Sequence, residues 1–220
     1  MGFLEDWDLS YDEIDELLTD NPSLRSFVMG YAAEVKCKSM FFAGDRRVSD
    51  LYKPDDHDRT AKGDLILTYR GQRFAIEVKS IQSASMRPRK RTGLIQPFFQ
   101  CDASDRRTVY FDDGSEVATT SLLVGEFDVL ALNIHSFTGE WDFVFAKNSD
   151  LPTMLGTTRG AAANFTPYQQ SRLLRTSIQI DLEPDPRTYS RNPFEVFDSV
   201  IIDRSRGQDP NLAGVSIEED

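Results

Sequence analysis

Apolar and polar positions follow two different rhythms along the first part of this chain. From Asn21 to about Phe42, Leu24, Phe27, Val28, Tyr31 and Val35 recur at helical spacing. Asn21-Pro22 supplies an N-cap and a proline at the first helical position, so the pattern predicts a long helix with that stripe buried. Ahead of it, Ser10-Tyr-Asp-Glu13 has the form of a capping box and predicts a short acidic helix from Tyr11 to Thr19. Residues 44–63 are polar and read as an exposed loop. From Lys62 to Gln82 the rhythm changes to two alternating runs around Arg70-Gly71, the signature of a β-hairpin. Placing Leu65, Leu67 and Tyr69 on the same buried face as Phe74, Ile76 and Val78 fixes the register. Tyr69 then pairs with Gln72, and a slip of one residue would turn one apolar set into water. Continued to its end, the same count sets Asp64 opposite Glu77, with Lys79 on their face.

Beyond the hairpin the pattern is less regular. A basic loop (Met86-Arg-Pro-Arg-Lys-Arg-Thr92) precedes an expected short helix near Gly93 to Gln100. A second hairpin is expected over Thr108 to Val124, turning at Asp112-Asp113-Gly114. Phe127 to Ile134 is apolar on both faces, as in a central strand, and Trp141 to Ala146 pairs back onto it. Thr166-Pro167 starts a helix to about Arg175, followed by a Pro-rich stretch (184–193) and an acidic tail. These elements describe an α/β chain: an acidic N-terminal segment (1–20), a core (21–150), a C-terminal extension packed on it (151–206) and an acidic tail (207–220).

Composition narrows the function. The chain has 220 residues and a net charge of −11, which is unexpected for a partner of polyanions. The charge is unevenly spread, however. The first twenty residues hold eight acids and no Lys or Arg, whereas Arg70 to Arg107 holds nine basic residues against three acidic ones. A basic segment between acidic ends can face phosphates. Two cysteines and two histidines leave little room for a disulfide framework, a zinc cluster or chemistry built on several histidines. The absence of a basic start, of a signal-like apolar stretch and of any membrane-length apolar run points to the cytoplasm.

The chemistry concentrates at the hairpin. Cross-strand carboxylates at Asp64 and Glu77 would bring their β-carbons to about 5 Å. Charges that close repel by roughly 3 kcal/mol at an effective dielectric of about 20. A divalent cation would relieve that repulsion, and an open, oxygen-rich site of this kind suits Mg²⁺ or Mn²⁺. Lys79 would lie beside it, able to orient or deprotonate a water or to neutralise a phosphate. A surface salt-bridge cluster is the alternative reading of the same three residues. Glu34, on the helix face of Phe27 and Tyr31, and Gln82, just after the hairpin, are further candidates. Glu126 and Asp128 are candidates for a second metal position. Arg87, Arg89, Lys90 and Arg91 are the candidate nucleic-acid contacts, with Arg106, Arg107, and Arg172, Arg175 and Tyr168 on the late helix behind them. The polar run from Cys101 to Arg107 has no assigned role.

An Asp at a strand start, a short hairpin, and then Ile76-Glu77-Val78-Lys79-Ser80 together resemble the PD-(D/E)XK, restriction-endonuclease-like nuclease superfamily. The likeness covers residues 22–82 and, more loosely, 125–147. Lys62-Gly63 stands where the family pattern has its proline. The resemblance implies a restriction-endonuclease-like mixed β-sheet flanked by helices. It also implies a Mg²⁺- or Mn²⁺-dependent deoxyribonuclease of restriction, phage defence or DNA repair. In it Asp64 and Glu77 bind metal, Lys79 is catalytic, and Glu34 is the acid that the first helix brings to the metal. DNA is the expected partner, with a homodimer or a larger nuclease complex as the expected assembly. The competing expectation is a non-catalytic DNA-binding or assembly subunit that retains the fold.

Overall fold

The computed structural model describes residues 2–54, 62–208, 210 and 215–219. The chain opens with three helices: α1 (Phe3–Asp6), α2 (Tyr11–Asp20) and α3 (Pro22–Cys37), the last running on through a π-helical turn, Lys38–Phe42. The Ser10–Glu13 capping box forms as the sequence requires. Among the described residues, ten strands and three further α-helices follow: β1 (Val48–Tyr52), β2 (Leu65–Tyr69), β3 (Gln72–Ser80), β4 (Phe98–Gln100), β5 (Asp102–Phe111), β6 (Glu116–Ser121), β7 (Val129–Asn133), α4 (His135–Thr138), β8 (Phe143–Lys147), α5 (Pro167–Arg172), β9 (Ser177–Gln179), α6 (Pro193–Ser205) and β10 (Val215–Glu219).

The centre is a five-stranded mixed sheet in the order β1-β2-β3-β7-β8, flanked by helices. All its pairings are antiparallel except β3 with β7, which is parallel. The β2–β3 register is the one the apolar pattern demands, from Tyr69↔Gln72 to Leu65↔Ile76. Its two-residue turn has positive φ at both Arg70 and Gly71, the conformation that matches the twist of the strands it joins. Leu65, Leu67, Tyr69, Phe74, Ile76 and Val78 enter one core together, against α3 and α6. Ile66 and Ala75 enter a second core on the other face, with Phe99 of β4 and Ile178 of β9. Both faces of the hairpin are therefore largely covered, with Arg73 exposed near its turn.

Several expectations are corrected. The stripe Leu24, Phe27, Val28, Tyr31 and Val35 is not buried; Phe27 is 70% and Val35 65% exposed. Small residues on the opposite side of α3, Ala33 and Cys37, face the sheet instead and let the helix lie close to it. The segment read as a loop from 44 to 63 contains the edge strand β1, while residues 55–61 lie outside the described part. Residues 93–97 have no regular structure and 98–100 form β4, so the expected helix is absent. Helix α5 stops at Arg172. Helix α6 is unforeseen, yet Phe194, Val196, Phe197 and Val200 enter the main core. The acidic end contributes β10, paired antiparallel to β5.

The start of β2 depends on one glycine. Gly63 has φ +82°, and a Cβ there would stand 3.0 Å from the Ile76 carbonyl oxygen and 3.1 Å from its nitrogen. These are backbone atoms that cannot swing away. Gly63→Ala is expected to destabilise the fold by about 1–3 kcal/mol in urea unfolding, the usual cost of a forced backbone conformation. It should also shift Asp64, the next residue. A variant with wild-type stability would show that the close approach is not needed.

Candidate active site

Asp64 begins where the regular ladder ends. Its N–H donates to the Ile76 carbonyl at 2.8 Å, one residue short of the Glu77 partner that the register would give. Its carboxylate then accepts the Val78 N–H at 2.7 Å. The side chain thus takes over a backbone donor that β2 no longer reaches. Glu77 and Lys79 project from the same face of β3, and Lys79 Nζ stands 2.7 Å from Glu77 Oε1. The ammonium also donates to the Asp102 carbonyl at 3.2 Å.

These groups open into a cleft of about 690 Å³. Its lining brings together four of the predicted residues, Glu34, Asp64, Glu77 and Lys79, and also Gln82. Glu34 reaches the cleft because the stripe beside it, Phe27 and Tyr31, forms the lip of the cleft rather than core. Two cations not anticipated from the sequence join them. Lys53 pairs with Glu34 Oε2 at 2.7 Å and lies over the Tyr31 ring. Lys62 lies 3.9 Å from Glu126. Nothing in the local sequence marks Lys53, which arrives from the edge strand that the pattern hid.

The other candidates separate. Arg106, Arg107 and Glu126 line the cleft. Arg107 and Glu126 form a buried bidentate ion pair. Asp128 lies elsewhere, accepting the Ala75 N–H and pairing with Arg204, so it does not join Glu126 in a second acidic pair. Arg87, Arg89, Lys90 and Arg91 are exposed on the turn before β4 and do not line the cleft. Arg172, Arg175 and Tyr168 are also outside it. Tyr168 donates to Asp112, and Arg175 donates to the Thr153 carbonyl.

The electrostatics follow from burial. Burial pushes the Glu77 carboxyl up to about 7, with Asp64 adding to the rise and Lys79 opposing it. Burial also raises Asp64, opposed by Lys79 and helped by Glu34. Burial works against the charge on Lys79, but Glu77 and Asp64 outweigh it and hold the ammonium above the usual lysine range. Two carboxylates that resist ionisation therefore stand beside a firmly charged lysine. Among the described residues no three His, Cys, Asp or Glu side chains form a ready-made metal cluster.

This arrangement predicts a pH dependence. Glu77 holds its proton to about pH 7 when folded and to about 4.5 when unfolded. Between those values the folded state binds the extra proton, so the contribution of Glu77 to stability is full below about 4.5 and is lost as pH rises through 7. In EDTA, the stability difference between wild type and Glu77→Gln should shift by on the order of 3 kcal/mol across that window. Urea unfolding at pH 5, 6, 7 and 8 checks it, and a flat difference would place Glu77 in contact with water.

The chain matches no protein-family model and no curated protein sequence. Among solved structures it is similar to the bacterial homing endonuclease I-Ssp6803I, at 16% identity and a TM-score of 0.39, over 84% of this chain and 99% of that one. Among the described residues no helix is long and apolar enough to cross a membrane.

Proposed function

We propose that this chain is a metal-dependent nuclease of the PD-(D/E)XK type, hydrolysing DNA phosphodiester bonds in restriction, phage defence or repair. The observation that carries the reading is the set of buried Glu77 with half-buried Asp64 and Lys79 in one open cleft. Two like-charged carboxylates cost stability there, and a fold with no use for them would more readily place apolar groups on β3.

The donor set fits a hard divalent cation such as Mg²⁺ or Mn²⁺. Asp64 and Glu77 would hold it, and Glu34 stands in the same cleft as a further oxygen ligand. Bound there, the ion would lower the pKa of a water and offset charge on the phosphate. The residues of the chain divide the remaining work. Glu77 releases its proton when its charge is compensated. Lys79, held protonated by its two acidic neighbours, acts as a fixed cation that stabilises charge developing on the phosphate oxygens, rather than as a base. Lys53 and Lys62 add positive charge along the cleft. Arg87, Arg89, Lys90 and Arg91 remain proposed phosphate contacts for DNA extending beyond it.

The test is cleavage of supercoiled plasmid in EDTA, Mg²⁺ or Mn²⁺ by wild type and Asp64→Asn. Metal-dependent nicking or linearisation that is lost in the variant is the expected result. Equal cleavage by both proteins would move the chemistry to another site.

One observation favours a second reading, a chain that works as a subunit of a homodimer or larger nuclease assembly. The apolar strip Leu24, Phe27, Val28, Tyr31 and Val35 stays uncovered beside the cleft. Light scattering on the purified chain distinguishes a monomer from an assembly.

A further inference from the structure

The polar run Asp102-Ala-Ser-Asp-Arg-Arg107 fits neither a helical nor a strand rhythm, and the pairing of β5 shows why. From Tyr110↔Glu116 to Arg107↔Thr119 the β5–β6 ladder is regular, and the next pair is Asp102↔Ser121. Residues 103–106 of β5 therefore stand opposite Thr120 alone, as a bulge. In a regular strand, neighbours alternate between faces. Here Ser104, Asp105 and Arg106 are exposed in succession, and all three line the cleft that holds Asp64 and Glu77. Bulges beside active sites serve to re-aim side chains in this way.

The bulge is held at both ends. Lys79 Nζ donates to the carbonyl of Asp102. Arg107 is locked in the buried pair with Glu126 and donates to the Ser121 carbonyl at 2.9 Å. Arg106 itself donates to the Ala118 carbonyl at 3.3 Å. The segment is thus fixed relative to the candidate catalytic lysine.

We infer that residues 104–106 are a specificity-determining element that reads base edges of the DNA whose phosphate lies at Asp64, Glu77 and Lys79; this rests on the nuclease reading above. A wall built only to hold phosphates would carry cations, whereas the Asp105 carboxylate would repel a phosphate. A carboxylate is instead an acceptor for the exocyclic amine of cytosine, and an arginine fork matches the O6 and N7 acceptors of guanine. Adjacent Asp and Arg therefore form a base-reading pair, with Ser104 as a second donor or acceptor. The rigid attachment serves the same end, because discrimination between bases requires groups fixed to a fraction of an ångström. By contrast, Arg87, Arg89, Lys90 and Arg91 lie outside the cleft, where contacts position a duplex without reading it.

The test is Mn²⁺-dependent cleavage of a DNA duplex library with a randomised segment, its cut sites read by sequencing. The proteins compared are wild type, Asp105→Ala, Arg106→Ala and Arg106→Lys, each first shown by thermal unfolding to be folded. Wild type is expected to cut with a base preference. Each alanine variant should lose discrimination at one or two adjacent positions by about ten- to a hundredfold, the span of one bidentate base contact. Arg106→Lys should keep the salt dependence of wild type and still lose the guanine preference, since an ammonium lacks the fork. Cutting by wild type without preference, or slowing of the variants equally on all sequences, overturns the inference and leaves the nuclease reading in place. A wild type that neither cuts nor binds the library removes both.

Discussion

Replacing Lys79 with methionine is expected to reduce metal-dependent plasmid cleavage by about a thousandfold or more, while the protein remains folded. Methionine keeps most of the length and the apolar stem of lysine on a strand that is packed on both sides, so the change removes the charge and its hydrogen bonds to Glu77 and the Asp102 carbonyl. Two losses then combine. On the nuclease reading proposed above, the first is the fixed cation beside the scissile phosphate, a group of the kind worth about 10²–10³ in rate when a single preorganised donor is removed. The second acts through Glu77. Its carboxyl already sits at about 7 with Lys79 at 2.7 Å, and without that cation burial and Asp64 push it further up. More of the variant is then protonated at neutral pH, and its affinity for Mn²⁺ falls as well. The two losses separate experimentally. Saturating Mn²⁺ at pH 8.5 restores metal occupancy but not the cation, so a deficit of at least a hundredfold should persist there. The pH profile of wild type carries a second check. A lysine acting as base would give a rate that climbs with its own deprotonation, whereas a lysine kept charged gives a rise near the ionisation of Glu77 and a plateau above it. Full activity of Lys79→Met at high metal would remove the lysine from the chemistry.

The register of the hairpin that carries this site is legible in its own residues, up to the last pair before Asp64. The hairpin register follows from three local facts: apolar residues at every second position, a two-residue turn at Arg70-Gly71, and the requirement that both apolar sets face one core. None of these depends on the rest of the chain, which is why the expected pairs from 69↔72 to 65↔76 are the observed ones. The sheet position of Phe127 to Ile134 was legible for a similar reason, since a strand apolar on both faces must be interior. What a local pattern could not supply was the identity of the surface each element meets. The helical period of α3 located the helix but assigned its larger side chains inward. The surface actually packed against the sheet carries Ala33 and Cys37, because close approach favours small residues. Helix α6 was hidden for the opposite reason: Pro193-Phe-Glu-Val-Phe follows a Pro-rich stretch, and its buried residues are recognisable only once the empty side of the sheet is known. β1 has little alternation to detect, being an edge strand with exposed residues. The bulge of β5 and the arrival of Lys53 in the cleft are properties of long-range pairing, to which a window of neighbouring residues has no access.

Glu126 illustrates how burial changes the meaning of a carboxylate, and Glu126→Ala is expected to cost about 3–5 kcal/mol of stability. By sequence it is a strand-end acid and a candidate for a second metal position. In the structure it is 6% exposed and Arg107 is 3% exposed, and the two are joined through both carboxylate oxygens. Glu126 also accepts the Leu123 N–H at 2.8 Å. Arg107 Nε already lacks a partner. Removing the carboxylate would therefore leave a guanidinium buried with the Ser121 carbonyl as its remaining hydrogen-bond acceptor, and a backbone donor stranded beside it. The penalty is that of an uncompensated charge, not the modest net worth of the pair. Replacing both partners by apolar groups, Arg107→Met with Glu126→Leu, should recover most of the loss, since neither charge then needs solvation. Urea unfolding of wild type, Glu126→Ala and the double variant measures this directly. The same set separates stability from function. The double variant regains the fold, but its β5 bulge is no longer locked to the turn before β7, so its base discrimination should weaken even where its stability matches wild type. A cost below about 1 kcal/mol for Glu126→Ala would mean that water reaches the pair, as at an exposed salt bridge, and the bulge would then lack its anchor.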